Sequence, residues 1–528
     1  MPFKSTQPDI PLPTDVTIWD WLFDSPSSSL KKHPSSALRG YSNGITGERI
    51  NYAQVQEATT YLSTALVKRY GLKEGEAVAL FSPNNIWYPV AMLGTLRAGG
   101  VVSGASPAYN IEEMTYALNK AGARFLMTVP ASMDVAAAAA KSAGIPKERV
   151  FLLEGELEGF TAMQTLLDIG RSYAENGQIP SFKIPEGKES KDVCAFLSFS
   201  SGTTGLPKAV MIAHQNVIAQ VLQVQMITPP NLQKILAVLP VFHITGLVHA
   251  LHLPISINAE VYMLPAFTMK DLLDTVVKHQ LRELLLVPPI LIRLVRDPLV
   301  DKYDLSCLRR FSTGAAPLSE EILHLLKKKF PQTEFKQEKY DYRYGHTVGT
   351  ICASTEIKVI DLYGNELGLN QPGEILTRGP QITMGYLNNP KATAETFDKD
   401  GWLHTGDQGI IDEEGMLTIT DRIKELIKVK GIVEDAAVMS VPDDYTGERP
   451  KAYVVPKDEF EGSQEFGQEL IKYVQERKSR TKWITELEFV GIIPKSASGK
   501  ILRRMLRDQA KADKSTKLKD DVKEKAKL

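Results

Sequence analysis

Cysteine is scarce in this sequence, and neither sign of charge dominates it. The 528 residues include only 3 cysteines, which stand far apart: Cys194, Cys307 and Cys352. A disulfide framework or a zinc site needs paired or closely spaced cysteines, so the sequence predicts neither and favours a reducing compartment. The 62 Lys and Arg residues nearly balance the 63 Asp and Glu residues. Without an excess of positive charge, nucleic acid is not an expected partner.

Long apolar runs are also absent, so the sequence predicts no transmembrane segment. The N-terminal stretch MPFKSTQPDIPLPTD lacks the apolar core of a signal peptide. At the other end, Ala526, Lys527 and Leu528 differ from the peroxisomal address Ser-Lys-Leu only at the first position. We expect a soluble, unsecreted protein that the peroxisomal import receptor recognises. The alternative is a lysine-rich tail that ends this way by chance, in which case the protein is cytoplasmic.

Short apolar strands alternate with helical stretches over the first few hundred residues. AVALFSPN precedes IWYPVAMLGTLRAGG, and FLMTVP precedes the alanine-rich MDVAAAAAKSAG. This alternation is typical of βαβ units and a parallel sheet. Later stretches, GEILTRGPQIT and GMLTITDRIKELIKVKG, are typical of antiparallel strands. Because the chain is too long for one ordinary domain, the sequence predicts an α/β protein with at least two domains.

One stretch, SFSSGTTGLPKAV, surrounds a single lysine with hydroxyl residues and glycines. It is not a Walker A loop, because Gly202 and Gly205 are too close together and Ala209 follows Lys208. Its glycines still allow backbone N–H groups to converge on an anion. We expect a strand before the loop and a helix, NVIAQVLQVQ, after it, which places the loop at a ligand-binding strand end. On these residues alone, a phosphate-binding loop and a mobile turn are equal alternatives.

Six stretches occur in the order found in one enzyme superfamily. They are SSGTTGLPK, LPVFHITGL, STGAAPLS, GWLHTGD, TDRIKELIKVKG and PKSASGKILRR. Together they resemble the adenylate-forming superfamily of acyl-CoA synthetases, 4-coumarate-CoA ligases and luciferases, and most of all its 4-coumarate-CoA ligase-like branch and fungal peroxisomal acyl-CoA ligases. The resemblance implies a large N-terminal domain of βαβ-layered sheets with a β-barrel-like part over residues 1–420. It also implies a hinge at 421–424 and a small, mobile α+β C-terminal domain over 425–528.

The resemblance implies ATP, Mg²⁺ and CoA as ligands and a small carboxylic acid as substrate. The family converts the carboxylate to an acyl-adenylate with loss of pyrophosphate, and a thiol then displaces AMP. Lys500 would contact the carboxylate oxygen and the bridging phosphate in the first step, where negative charge concentrates. Thr204 is a candidate magnesium ligand. The residues that would hold the phosphates are Ser200, Ser201, Gly202, Thr203, Thr204, Gly205 and Lys208.

Three further positions match contacts that the family makes with ATP and CoA. Asp407 would accept hydrogen bonds from the ribose hydroxyls, and Arg422 would assist at the ribose or the phosphate. Gly431 corresponds to a stretch that contacts pantetheine after the small domain rotates. The alternatives are a turn residue for Asp407, a surface ion pair for Arg422 and a solvated surface lysine for Lys500.

A histidine and three small residues match positions that line the family's binding pockets. His243 matches the family's aromatic-or-histidine position between the acyl pocket and the thiol tunnel, with a satisfied core histidine as the alternative. Gly314, Ala315 and Ala316 match the wall on the adenine side. On pattern alone these three residues form a tight turn before the helix LSEEILHLLKKKF, which Ser319 would cap.

The sequence departs from the family pattern in two places. The Tyr-Gly-x-Thr-Glu motif, whose tyrosine stacks on adenine and whose glutamate serves magnesium, is missing near residues 337–339. YGHTVG resembles this motif, but Val348 stands where the glutamate belongs. Glu338 is the nearby carboxylate that could stand in for it, and we do not assign it that role. A Pro-x-Glu-Leu-Glu helix is missing near residues 431–433.

Two hypotheses of different classes follow. The first is an ATP-dependent carboxylic acid:CoA ligase that works through an acyl-adenylate, in peroxisomal fatty or aryl acid metabolism or in secondary metabolism. The second is a catalytically impaired nucleotide- or acyl-binding protein, because the magnesium glutamate is missing. A peptide-synthetase adenylation module is disfavoured, since no carrier domain follows SGKILRR. Motifs do not exclude luciferase-type oxidation, and they predict neither the particular acid nor the oligomeric state.

Overall fold

A computed structural model describes most of the chain, in two compact units. The described residues are 2–200, 207–314, 318, 320–336, 347–361, 364–421, 433–443, 447–457, 462–475, 483–484, 486–494 and 517–519. The first unit comprises Met1–Ser200, Pro207–Lys358 and Leu376–Thr405, and the second includes Val359–Ile375 and Gly406–Leu528. The predicted hinge residues 422–424 lie outside the described residues, so the domain boundary stays a prediction.

An eight-stranded sheet organises the first unit. Its inner strands are parallel, as the alternating strand and helix pattern predicted, and two antiparallel pairs close one edge. All five residues of its strand Ala77–Phe81 are buried, which explains the unbroken apolar run AVALF. The strands, in spatial order, are Gly385–Tyr386, Lys208–Ala213, Cys194–Ser200, Val101–Ala105, Ala77–Phe81, Ala123–Thr128, Val150–Leu152 and Thr161–Ala162.

Six helices accompany this sheet, and local capping explains where two of them begin. The Asn51 side chain accepts the Gln54 N–H while the Gln54 side chain accepts the Asn51 N–H, and Asn110 and Glu113 do the same. Such reciprocal bonds satisfy N–H groups that a helix leaves without internal partners. The helices are Tyr52–Lys68, Tyr88–Arg97, Ile111–Ala121, Met133–Ser142, Met163–Arg171 and His214–Ile227.

The first unit also contains two smaller sheets. One has the spatial order Lys234–Ala237, Glu260–Met263, Gly40–Asn43 and Arg49–Asn51, and the other, all parallel, has the order Glu283–Leu286, Arg310–Thr313 and Glu334–Lys336. Strand Phe3–Lys4 pairs with residues 356–357. Further helical segments, apart from short 3-10 turns, are the π-helical Asp20–Asp24, Ile244–Gly246, the π-helical Leu247–His252, Leu253–Ser256, Met269–His279, Pro288–Arg296, Glu320–Lys329 and Pro390–Thr396.

The second unit is rich in antiparallel strands, as predicted for the later part of the chain. Residues 408–411 of strand Leu403–Ile411 pair with strand Met416–Asp421. A four-stranded sheet then packs with the helix Gln464–Gln475, and its spatial order is Val433–Asp443, Gly447–Pro456, Glu486–Phe489 and Lys517–Lys519. Strands Glu356–Ile360 and Gly373–Arg378 each cross from one unit to the other, and strand Gly349–Thr350 belongs to the first unit. No helix in the described part of the chain is long and apolar enough to cross a bilayer.

Candidate active site

The residues that flank the glycine-rich loop face each other across two antiparallel strands. Strand Cys194–Ser200 pairs with strand Lys208–Ala213, and Ser200 lies opposite Lys208. The strand before the loop and the helix His214–Ile227 after it were both predicted. The strand between the loop and the helix was not. Residues 201–207 therefore connect the two strands of a hairpin. Lys208 is the first residue of the second strand.

The hairpin opens at the carboxyl edge of the parallel sheet. Strand Cys194–Ser200 runs parallel to strand Val101–Ala105, with Leu197 opposite Ser103, so Ser200 is at the end where α/β sheets bind ligands. This position confirms that the loop follows the carboxyl end of a strand, and phosphate binding stays a prediction. The loop residues proper lie outside the described residues: Ser201, Gly202, Thr203, Thr204 and Gly205.

Lys208 is held against an aromatic ring that sequence reasoning missed. Its Nζ lies 5.0 Å from the centroid of the Tyr386 ring. Tyr386 belongs to the edge strand that pairs with Val210, which fixes the ring beside the lysine. At the residue just before the lysine, the Tyr116 hydroxyl donates to the Pro207 C=O at 2.8 Å. The aromatic ring and the anchored backbone together restrict the positions that the Lys208 ammonium group can occupy.

With ATP as the ligand that the resemblance implies, replacing Tyr386 by leucine is expected to raise the KM for ATP roughly twofold to thirtyfold, because a cation–π contact is worth about 0.5–2 kcal/mol. The Tyr386→Phe variant keeps the ring and is the matched control. KM values for ATP from steady-state pyrophosphate release would check this. Equal KM values for the leucine and phenylalanine variants would contradict a role of the ring.

His243 begins a helical segment beside the same sheet edge. Its Nδ1 accepts the Thr245 N–H at 3.4 Å, so the imidazole caps the helix Ile244–Gly246. A Cβ added at Gly104, near the carboxyl end of its strand, would lie 2.9 Å from the Phe242 carbonyl oxygen. Only glycine allows so close an approach. The structure therefore brings the His243 segment and the Ser200–Lys208 hairpin to one sheet, at neighbouring strand ends.

Gly314 lies at the carboxyl end of another parallel sheet. It follows strand Arg310–Thr313, which is the middle strand of three. Gly314 is exposed, and a Cβ added there would meet no atom within 4 Å. Such open space suits a planar base lying against backbone. Ala315 and Ala316 lie outside the described residues, and the predicted helix after them spans Glu320–Lys329.

Asp407 lies in the second unit, inside the strand Leu403–Ile411. The alternative of a simple turn residue is wrong, because the strand continues for several residues beyond it. Gly406 before it has φ +70°, and its N–H donates to Oε1 of Glu374 at 3.3 Å. The pairing register shifts between Gln408 and Gly409. These two irregularities frame Asp407, and such bulges re-aim side chains near active sites. Arg422, Gly431 and Lys500 lie outside the described residues.

A metal site is not assembled among the residues that the structure describes. In those ranges no group of three or more His, Cys, Asp or Glu side chains could hold a metal ion. The candidate from the sequence, Thr204, lies outside them, as does Glu338, to which the sequence assigns no role. Strand Glu334–Lys336 ends where the first missing family segment was predicted, and strand Val433–Asp443 begins where the second was predicted.

Loops follow the carboxyl ends of parallel strands, and one of them is glycine-rich and ends at a lysine, which is typical of α/β proteins that bind ligands at this edge of the sheet. The chain belongs to the AMP-binding enzyme family. Residues 31–387 match the AMP-binding enzyme domain, and residues 425–500 match the C-terminal domain of AMP-binding enzymes. This membership confirms the adenylate-forming superfamily, and with it the family of ATP-dependent acyl- and aryl-CoA ligases.

Relatives are similar to the chain over almost its full length. It is 32% identical to 4-coumarate-CoA ligase 1 of Narcissus pseudonarcissus, covering 97% of both chains. It is 33% identical to 4-coumarate-CoA ligase 5 of Oryza sativa subsp. japonica, covering 96% of both. The crystal structure of the ATP-bound RpMatB-BxBclM chimera B1 matches with a TM-score of 0.73 and 27% identity, covering 93% of this chain and 98% of that one. The anthranilate CoA ligase AuaEII in complex with anthranoyl-AMP shares the fold, with a TM-score of 0.74, 20% identity and coverage of 95% and 98%.

The alignment with the Narcissus enzyme is longer than the chain itself. It spans 558 residues, whereas the chain has 528. Part of the relative's sequence therefore has no counterpart here. Such unmatched length is what the two missing segments near 337–339 and 431–433 would produce.

Proposed function

We propose that the protein is a carboxylic acid:CoA ligase that forms an acyl-adenylate from ATP and then a thioester with CoA. Ser200 and Lys208, paired across a hairpin at a strand's carboxyl end, are the observation that supports it most. This pair presents a hydroxyl and a positive charge at the mouth of a glycine-rich loop. A polyphosphate is the ligand that suits such a loop best. The names of the 4-coumarate-CoA ligase relatives support the same reaction.

The reaction requires two displacements. In the first, a carboxylate oxygen of the substrate attacks the α-phosphorus of ATP, the bond to the β-phosphate oxygen breaks, and pyrophosphate leaves. In the second, the sulfur of CoA attacks the acyl carbon, the bond to the AMP oxygen breaks, and the thiol proton passes to solvent. Both leaving groups carry negative charge, so cationic and N–H donors that meet this charge lower the barriers.

Each proposed residue meets one part of this chemistry. Lys208 and the loop hydroxyls hold the β- and γ-phosphates, and Lys500 acts on the carboxylate and the α-phosphate in the first step. Asp407 accepts hydrogen bonds from the ribose hydroxyls. His243 lies beside the acyl carbon during thiol attack. Thr204 would be a ligand of the Mg²⁺ that accompanies ATP, and the ion would offset the negative charge of the phosphates.

The proposed substrates are aryl acids, medium-chain acids or fatty acids. The relatives' names favour an aryl acid of the 4-coumarate kind. We further propose delivery to the peroxisome through Ala526, Lys527 and Leu528, where the ligase would serve acid degradation or secondary metabolism. A fluorescent protein that carries the last twelve residues tests the address, and loss of Leu528 is expected to return it to the cytoplasm.

The deciding experiment incubates the purified chain with ATP, Mg²⁺, CoA and a panel of aryl and fatty acids. We expect release of AMP and pyrophosphate in equal amounts, and a new acyl-CoA of matching mass. Omission of CoA is expected to leave pyrophosphate release limited to about one turnover, because the adenylate then stays bound. Absence of all three products with every acid would overturn the proposal.

The impaired nucleotide-binding protein is the second candidate, because the sequence lacks the Tyr-Gly-x-Thr-Glu motif near residues 337–339. It predicts ATP binding by calorimetry without any release of pyrophosphate. A version in which both missing segments are restored from a relative serves as the positive control. Activity in the restored version alone would favour this second candidate.

A further inference from the structure

One buried amide, Asn84, holds a backbone segment at three points. It follows the strand Ala77–Phe81 and is 4% exposed. Its Nδ2 donates to the C=O of Ala237 and to that of Leu239, both at 3.0 Å. Its Oδ1 accepts the Val241 N–H at 2.9 Å. A single side chain thus supplies partners for three main-chain groups of one short, irregular stretch.

The chemistry of these three bonds demands an amide. Two carbonyl groups need a donor, and one N–H group needs an acceptor, which only the Asn84 amide in one orientation provides. An aspartate of the same shape would keep the acceptor but turn an oxygen toward both carbonyls. Buried main-chain groups without partners destabilise the conformation that buries them. The conformation of the stretch therefore depends on the amide itself and not on the volume of the side chain.

The stretch leads directly to His243. The His243 N–H donates to the Pro240 C=O at 3.2 Å, and the His243 C=O accepts the Leu247 N–H at 2.8 Å. A Cβ added at Gly246 would lie 2.2 Å from the Pro240 carbonyl oxygen. The histidine therefore stands on a segment that Asn84 fixes on one side and the start of the helix fixes on the other.

We propose that Asn84 is a positioning residue, which fixes His243 for the attack of the CoA thiol. The inference rests on the proposed function, because the role of His243 belongs to that function. Asn84 lies behind the segment and acts only through it. Misplacement of a reacting group by about 1 Å can cost on the order of 100-fold in rate. The loss is expected in the thioester step and not in adenylate formation.

The neighbouring residue, Asn85, is a matched control. It is 3% exposed, and its amide also makes short hydrogen bonds, to Ser82 and to main-chain groups of its own turn. None of these partners belongs to the stretch that leads to His243. Replacement of Asn85 also removes one buried amide from the same turn. It leaves the three hydrogen bonds between Asn84 and that stretch in place.

The first experiment compares the variants Asn84→Ala, Asn84→Asp and Asn85→Ala with the unchanged protein. Pyrophosphate exchange measures adenylate formation, and rapid mixing of preformed acyl-adenylate with CoA measures thioester formation. Both Asn84 variants are expected to slow the second step about 10- to 100-fold while the first changes by less than about threefold. Asn85→Ala is expected to change both steps by the same factor. A uniform loss in the Asn84 variants would overturn the proposal.

A second measurement needs no enzyme activity and so separates this inference from the proposed function. Cysteine is placed at position 243 by His243→Cys, and its alkylation rate by iodoacetamide is followed by peptide mass spectrometry. Adding Asn84→Ala is expected to change that rate at least about fivefold, while adding Asn85→Ala leaves it unchanged. An unchanged rate in both backgrounds would overturn the positioning role. A changed rate in a protein that makes no acyl-CoA would show that Asn84 fixes the segment of residue 243, and would refute the ligase and with it the role in thiol attack.

Discussion

Replacement of Lys500 by alanine is expected to lower the rate of adenylate formation by two to three orders of magnitude. One charge contact at about 4 Å is worth on the order of 4 kcal/mol at an effective dielectric constant near 20, before desolvation opposes it. Each 1.36 kcal/mol of lost transition-state stabilisation is about tenfold in rate. Thioester formation from a supplied acyl-adenylate is expected to change far less, because the proposed mechanism uses Lys500 only in the first step. Pyrophosphate exchange and single-turnover thioester assays measure the two steps separately.

Lys472 provides the control for this substitution. It is an exposed lysine on the helix Gln464–Gln475, so Lys472→Ala removes a charge from the same C-terminal region without touching the proposed chemistry. We expect it to leave both steps within about twofold of the unchanged protein. Equal losses in both steps for Lys500→Ala, or a similar loss for Lys472→Ala, would contradict the assigned role.

Folding stability is expected to fall steeply between pH 6.5 and 5. Burial lowers the pKa of His214 to about 3 and that of His252 to about 4, and a charge on His252 further opposes one on His214. Burial also lowers the pKa of His249 to about 4. The His214 Nδ1 accepts the Ile18 N–H at 3.1 Å, so a proton there would break this bond. Each of these histidines stays neutral in the folded protein well below its ordinary pKa.

The direction of this effect follows from proton linkage. Below about pH 6.5 the unfolded chain binds protons that the folded chain refuses, so stability is lost as the pH falls. His214 and His252 together are expected to remove roughly 3 kcal/mol between pH 6.5 and 5. Urea unfolding at several pH values measures this loss.

Two variants separate the buried histidines from the carboxylates that also titrate. His214→Asn keeps an acceptor for the Ile18 N–H and removes one titrating group. Its stability is expected to depend on pH less steeply, by up to about 1.4 kcal/mol per pH unit. His324→Gln removes an exposed histidine and is the control. Parallel pH profiles for all three proteins would contradict the assignment to His214.

Much of the first unit was predictable because its elements carry strong local signals. The strand Ala77–Phe81 is an unbroken apolar run between turn residues, and the alanine-rich stretch after it in the chain forms the helix Met133–Ser142. The strand Lys208–Ala213 escaped prediction. Its residues KAVMIA stand directly between a loop and a helix, and so short an apolar run does not distinguish a strand from the start of a helix.

Part of the candidate site was predictable from the order of the motifs along the chain. The motif order predicted Ser200 and Lys208, and the structure pairs them. Asn84 and Tyr386 carry no comparable signal. Asn84 bonds to a carbonyl 153 positions away, and a lone asparagine after a strand is otherwise an ordinary turn residue. Contacts this distant are set by packing, which no local pattern encodes.

The hairpin at the loop also determines which insertions and deletions the chain can accept there. The strand after the loop is paired on both sides, with Ala209 opposite Phe199 and Val210 opposite Tyr386. A residue added within 201–206 would leave every pair intact, and Lys208 would keep its face of the sheet. A residue added just after Lys208 would turn it to the opposite face, because side chains alternate along a strand. The length of the loop can therefore change during evolution while the Lys208 side chain stays on the same face of the sheet.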